Sequence, residues 1–137
     1  MPPRTPTSLK SAKPSPRGFT AIIVDDQHQL AEALAQRLAL DGFETVVTTT
    51  ATEALRLCME RRYDLAFVDL KLPDMSGGTV VRELKRRSPG SSVVLMTGFA
   101  ASLDDPELAA AGADAVLPKP WRATELSCIL EKVAPEA

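Results

Sequence analysis

Aromatic and metal-binding side chains are scarce in this chain of 137 residues. Aromatic residues make up 4% of it, histidine occurs once, and the two cysteines, Cys58 and Cys128, lie far apart. The chain therefore lacks the soft ligands that a zinc site needs. We expect both thiols to be reduced and to lie buried or half-buried on helices. No apolar run approaches the roughly 18 residues of a transmembrane helix. The first ten residues, MPPRTPTSLK, lack the apolar centre of a secretory signal.

Charge is unevenly distributed along the chain. The formal net charge is −2, but residues 1–17 carry four basic residues and no acid, which leaves −6 on residues 18–137. The first segment also holds five of the eleven prolines and cannot bury enough apolar surface to order itself. We predict a disordered basic leader at 1–17, a folded domain at 18–134 and a tail at 135–137. The acidic domain argues against direct nucleic acid binding, because phosphate contacts require a basic patch.

From Thr20 onward, short apolar or β-branched runs alternate with stretches of helical periodicity. Five runs predict strands, at Thr20–Val24, Phe43–Thr48, Leu65–Asp69, Ser92–Met96 and Ala115–Leu117. Five stretches predict helices, at 28–40, from a Thr50–Glu53 capping pattern to about Arg61, at Thr79–Arg87, at 105–111 and at 123–133.

This alternation predicts an α/β fold, with a five-stranded parallel sheet covered by helices on both faces. Right-handed crossovers leave few topologies, and five βα units favour the flavodoxin-like order 2-1-3-4-5. In such sheets, sites form beyond the carboxyl ends of the strands, near the point where the strand order reverses.

Polar residues follow four of the five predicted strands: Asp25-Asp26, Asp69, Thr97-Gly98 and Lys119-Pro120. If the first and third strands are neighbours, three carboxylates converge, and their repulsion demands a cation or a retained proton. Hard oxygen ligands favour Mg²⁺, while a lysine and a threonine hydroxyl suit a phosphoryl group. Each residue alone is ordinary turn or surface chemistry. Their joint placement predicts a phosphate site in which a carboxylate can act as a nucleophile.

These residues closely resemble the receiver domain of two-component response regulators. The matching segments are the acidic pair after TAIIV, FVDLKLPDMSG around Asp69, VLMTG, and Lys119-Pro120 after GADAVLP. The resemblance covers about residues 18–134. It implies that Asp69 accepts a phosphoryl group from a sensor histidine kinase or phosphotransfer protein, and that Thr97 and Lys119 bind this group. It also implies a cis peptide bond between Lys119 and Pro120.

The same resemblance implies a Mg²⁺ site. Asp26 would be a direct ligand, and Asp25 would act largely through metal-bound water. Asp69 and the backbone carbonyl of Lys71 would complete the protein ligands. Such a domain assists only its own phosphorylation and dephosphorylation and is not an enzyme in the ordinary sense.

The resemblance also sets expectations about output. The domain would act in the bacterial cytoplasm through protein contacts with an unknown target. A dimer is one option, through the face formed by the predicted helix at 105–111, the fifth strand and the last helix. Val116 stands where the family usually has Tyr or Phe, so the usual route from phosphorylation to this face is altered.

Other classes of protein fit the residues less well. A dinucleotide-binding domain needs a glycine-rich turn after the first strand, where this chain has DDQHQ. An aspartate-nucleophile phosphatase of the haloacid dehalogenase type needs an acid two residues after the nucleophile, where this chain has Lys71. The open alternative concerns context: a stand-alone receiver, or the receiver of a longer transcription factor or hybrid histidine kinase.

Overall fold

Five parallel strands form a single sheet in the computed structural model, which describes residues 19–98 and 112–133. The strands are β1 (Thr20–Val24), β2 (Glu44–Thr48), β3 (Leu65–Asp69), β4 (Ser92–Thr97) and β5 (Ala115–Pro118). Their order is β2-β1-β3-β4-β5, which confirms the predicted flavodoxin-like α/β fold. The predicted leader, the predicted helix at 105–111 and the predicted tail lie outside the described residues.

Four helices cover the two faces of the sheet within the described part of the chain. They are α1 (His28–Leu40), α2 (Ala51–Glu60), α3 (Gly77–Arg87) and α4 (Ala123–Val133). Helices α1 and α4 pack on the face that contains Ile23 and Phe67, whereas α2 and α3 pack on the face that contains Ile22 and Val68. Strands β1 and β3 are buried throughout, which explains their continuous apolar runs. None of the described helices has the length and apolar character needed to cross a membrane.

Hydroxyl groups fix where two of the helices begin. The Thr50 hydroxyl oxygen accepts a hydrogen bond from the Glu53 N–H at 3.2 Å, as the capping pattern predicts. Helix α3 begins at Gly77, whereas we predicted a start at Thr79. The reason is that the Ser76 hydroxyl oxygen accepts the Gly78 N–H at 3.1 Å and caps the helix two residues earlier.

The two cysteines differ in exposure. Cys58 is half-buried and its thiol is free, as predicted. Burial raises the pKa of this thiol to about 11. Cys128 is exposed, which corrects the prediction for that residue. Helix α4 buries the stripe formed by Leu126, Leu130 and Val133, and a residue two positions from Leu126 lies on the opposite side of the helix.

Helix α3 begins very close to the end of β3. The Gly77 N–H donates to the Leu70 carbonyl at 2.7 Å. A Cβ atom at Gly77 would overlap the Asp69 carbonyl oxygen and lie 2.8 Å from the Leu70 Cα. These neighbours are backbone atoms and cannot rotate away. A glycine is therefore required for α3 to start against the strand that carries Asp69.

We expect Gly77→Ala to lower the free energy of unfolding by about 2 kcal/mol or more, as overpacking against rigid atoms does. Urea titration followed by circular dichroism measures this loss. Gly90→Ala is the matched control, because the nearest atom to its added Cβ is a flexible Arg62 guanidinium nitrogen at 3.5 Å. Equal stability of the two variants would contradict the close approach.

Candidate functional site

The carboxyl ends of β1, β3, β4 and β5 bring the predicted site residues to one edge of the sheet. Asp69 is in register with Met96 at the end of β4, and Thr97 is in register with Pro118 at the end of β5. The Lys119 N–H donates to the Thr97 carbonyl at 2.7 Å. The lysine therefore leaves β5 directly beside the strand ends that carry the acids.

Lys119 forms ion pairs with two buried carboxylates. Its Nζ lies 3.0 Å from Asp25 Oδ2 and 3.4 Å from Asp69 Oδ2. The exposed fractions of the three side chains are 9% for Lys119, 1% for Asp25 and 9% for Asp69. Such low exposure strengthens the attraction compared with a surface pair, because water screens it less.

Asp26 adds a third carboxylate, which is exposed. One carboxylate oxygen from each of Asp25, Asp26 and Asp69 lies within 4.8 Å of the other two. Asp25 Oδ1 also accepts the Gln27 N–H at 2.9 Å, so the buried acid is held on both of its oxygens. Three negative charges against one nearby ammonium leave a local excess of negative charge. Closely spaced oxygen ligands with this excess fit a hard divalent cation such as Mg²⁺.

The environment of Asp69 raises the pKa of its carboxyl group to about 6. Burial is the largest cause, and the neighbouring Asp25 carboxylate adds to it. Lys119 acts in the opposite direction, as does the Lys71 N–H, which donates to Asp69 Oδ1 at 3.5 Å. The carboxylate therefore stays basic enough to attract a cation or a phosphoryl group near neutral pH.

An open cleft of about 510 Å³ gives access to these groups. Its lining includes Asp26, Asp69, Lys71, Thr97 and Lys119. Asp25 lies behind the lining, which agrees with its burial. The cleft thus brings together all the predicted site residues, with Asp25 as the supporting member.

Some features of the site are outside the sequence prediction. Gln27 and Leu30 also line the cleft; an Asp-x-Gln turn at the start of α1 is the signal that could have indicated the Gln27 contact. His28 points to solvent, with 66% of its side chain exposed and its Nε2 3.6 Å from Glu32 Oε2. The Lys119–Pro120 bond is cis, and Trp121 packs against the core.

Comparison with known proteins agrees with the fold. The family model described as "Response regulator receiver domain" matches residues 21–131. The DNA-binding response regulator MtrA of Mycolicibacterium paratuberculosis is 38% identical over 105 residues, which are 77% of this chain and 46% of that protein. The chain spans less than half the length of curated relatives that it matches, 42% of one and 46% of another.

Solved structures share the architecture. A CheY-like receiver domain from Methanospirillum hungatei superposes with a TM-score of 0.76 at 32% identity, covering 84% of this chain and 93% of that one. The response regulator TrrA from Thermotoga maritima, solved in complex with Mg²⁺-BeF, gives a TM-score of 0.76 at 26% identity, covering 84% and 98%. With the family model matched over most of its length, this chain belongs to the response regulator receiver domain family.

Proposed function

We propose that the domain accepts a phosphoryl group on Asp69 from a phosphohistidine, in a Mg²⁺-dependent reaction. The donor would be a sensor histidine kinase or a phosphotransfer protein of the same cytoplasm. The observation that carries this proposal is the position of Asp69: its carboxylate lines an open cleft beside the Lys119 ammonium and two further acids. The family acts in two-component signalling, and its members are signalling phosphoacceptors rather than classical enzymes.

In the proposed transfer, an oxygen of the ionised Asp69 carboxylate attacks the phosphorus atom. The new O–P bond forms while the N–P bond of the phosphohistidine breaks, and its electron pair remains on the imidazole nitrogen. Lys119 would pair with an oxygen of the phosphoryl group, and the Thr97 hydroxyl would donate a hydrogen bond to another. The product is an aspartyl-phosphate.

The residues present fit the cation that the family implies. Asp26 and Asp69 offer carboxylate oxygens at the cleft, Asp25 supports them from behind, and the Lys71 backbone lies next to Asp69. When bound, Mg²⁺ would offset the negative charge that Asp69 and the phosphoryl oxygens bring together. We therefore propose Asp25, Asp26, Asp69 and the Lys71 carbonyl as the protein part of its coordination sphere.

The output of the domain is also a proposal, because the chain matches less than half of the length of its curated relatives. MtrA is a DNA-binding response regulator, so the receiver part of a longer transcription factor is one context. The receiver of a hybrid histidine kinase is a second context, and a stand-alone receiver is the alternative to both. In each case we propose that the signal passes through protein contacts, with a face that includes β5 and α4 as a candidate for dimerisation.

Phosphorylation has a direct test. Incubation with Mg²⁺ and acetyl phosphate should add one phosphoryl group, seen in the intact mass, because a small acyl phosphate can replace the protein donor. Asp69→Asn should abolish the addition, since an amide oxygen is a far weaker nucleophile. Asp41→Asn is the control, because Asp41 pairs with Arg37 at the end of α1, away from the site. Equal labelling of Asp69→Asn would contradict the assignment.

The raised pKa of Asp69 predicts a pH dependence of stability without metal. The folded protein keeps the Asp69 proton up to about pH 6, whereas the ordinary pKa is 3.8, so the folded state binds more protons between these values. The contribution of Asp69 to the free energy of unfolding should therefore fall as pH rises from about 4 to 6, by about 1 to 3 kcal/mol. Asp69→Asn should remove this fall, as urea titrations at each pH would show. A stability difference between the two proteins that is constant with pH would contradict the shift.

Metal binding can be followed through Trp121, the only tryptophan, which lies two residues after Lys119. We expect Mg²⁺ to change its fluorescence, because the cation would redistribute charge around the Lys119 ammonium. Asp26→Ala should weaken the response by removing a ligand, whereas Asp41→Ala should leave it intact. A flat titration of the unaltered protein at low ionic strength would count against a metal site at this loop.

A further inference from the structure

Asp74, in the loop between β3 and α3, caps a helix to which it does not belong. Its Oδ1 accepts the Ala51 N–H at 2.9 Å, and its Oδ2 accepts the Thr52 N–H at 2.8 Å. The Thr52 hydroxyl donates to the same Oδ2 at 2.6 Å. An acid that follows the Asp69 strand thus makes three hydrogen bonds to the first turn of α2.

These bonds complement the cap that α2 already has. The Thr50 hydroxyl oxygen accepts the Glu53 N–H, which leaves the Ala51 and Thr52 N–H groups without intrahelical partners, as is usual in a first turn. A carboxylate is favoured there because the helix dipole is positive at this end. The hydrogen bonds lower the pKa of Asp74 to about 2, so it is ionised throughout the range in which the protein would work.

The loop that contains Asp74 is closed at its base. Lys71 and Ser76 form an antiparallel bridge, and the Gly77 N–H donates to the Leu70 carbonyl at 2.7 Å. Leu72 and Met75 pack against the core formed with α2 and α3. Asp74 lies at the outer end of this loop and ties it to α2.

The first turn of α2 is itself connected to the acidic pair. The Asp25 N–H donates to the Thr48 carbonyl at 3.0 Å, two residues before the Thr50 cap. The Thr48 hydroxyl donates to the Ile23 carbonyl at 3.4 Å. The contacts of Asp74 therefore join the loop after Asp69 to a segment that is hydrogen-bonded to the backbone of Asp25.

We propose that Asp74 is a positioning residue for the metal site, which holds the β3–α3 loop on α2 and thereby fixes the Lys71 carbonyl relative to Asp69 and Asp25. This rests on the proposed function, in which that carbonyl is a metal ligand. Asp74 is exposed and does not line the cleft, so it acts through the loop and touches neither metal nor phosphoryl group.

A role confined to helix stability makes a different prediction. If Asp74 only caps α2, its loss should resemble the loss of any other cap on the same helix. Thr50→Ala is therefore the matched control, because it removes a cap from the first turn of α2 and leaves the Asp74 contacts in place. Thr52→Val removes one of the three bonds of Asp74 and keeps the two backbone bonds.

Two measurements separate these roles. In metal-free protein, amide hydrogen exchange of residues 70–77 should accelerate in Asp74→Ala and remain unchanged in Thr50→Ala. By calorimetry, at a temperature where each variant is folded, Asp74→Ala should weaken Mg²⁺ binding about tenfold, the lower end for residues that orient metal ligands. We expect the Mg²⁺ affinity to fall about threefold in Thr52→Val and less than about twofold in Thr50→Ala. This order follows the number of Asp74 hydrogen bonds that each variant removes.

The outcomes are distinct. Unchanged exchange of residues 70–77 in Asp74→Ala would overturn the positioning role, whatever the metal does. Faster exchange with unchanged Mg²⁺ affinity would overturn the link to the metal, as would equal losses of affinity in Asp74→Ala and Thr50→Ala. Absence of Mg²⁺ binding by the unaltered protein would instead overturn the proposed metal site itself, and with it the function assigned here to the loop.

Discussion

The site depends on one buried ammonium group that faces two buried carboxylates. Lys119 Nζ contacts both Asp25 and Asp69, and it partly compensates a cluster of three acids. Removing it would leave two carboxylates buried against each other, which is costly in a medium that solvates charge poorly. The lysine thus allows the protein to fold around acids that would otherwise repel, while the uncompensated charge remains available for a cation.

The parallel sheet explains why this arrangement could be predicted from sequence. The carboxyl ends of parallel strands in a βα fold lie on one edge, so Asp25, Asp69, Thr97 and Lys119 converge as soon as the strands and their order are known. The strands were predictable because β1 and β3 are buried on both faces and therefore appear as continuous apolar runs. The site therefore followed from the strand ends and the strand order, and no individual side-chain contact had to be known.

What sequence could not predict are contacts between segments that are distant in the chain. Asp74 lies 22 and 23 residues from the N–H groups it caps, and nothing in the local pattern of a Pro/Gly turn indicates that partner. The sequence predicts a start of α3 two residues too late, because Gly77-Gly78 favours a turn. In the structure, the Ser76 cap and the close backbone contact with Asp69 make these two glycines the first residues of the helix. We predicted that Cys128 is buried or half-buried, but it is exposed. The buried stripe of α4 is narrow, so apolar residues beside that stripe face solvent.

The electrostatics of the site also bear on how the domain would change state. Without a bound cation, Asp69 stays partly protonated near neutral pH, because burial and the Asp25 carboxylate raise the pKa of its carboxyl group to about 6. Binding a cation would release that proton and relieve the repulsion, so the folded state would gain stability as the nucleophile becomes ionised. Asp69, whose carboxyl pKa the surroundings raise, is therefore also the residue for which we propose a covalent role. Val116 is half-buried beside Leu95 and has no ring, so it cannot make the movement that the aromatic residue usual at this position makes.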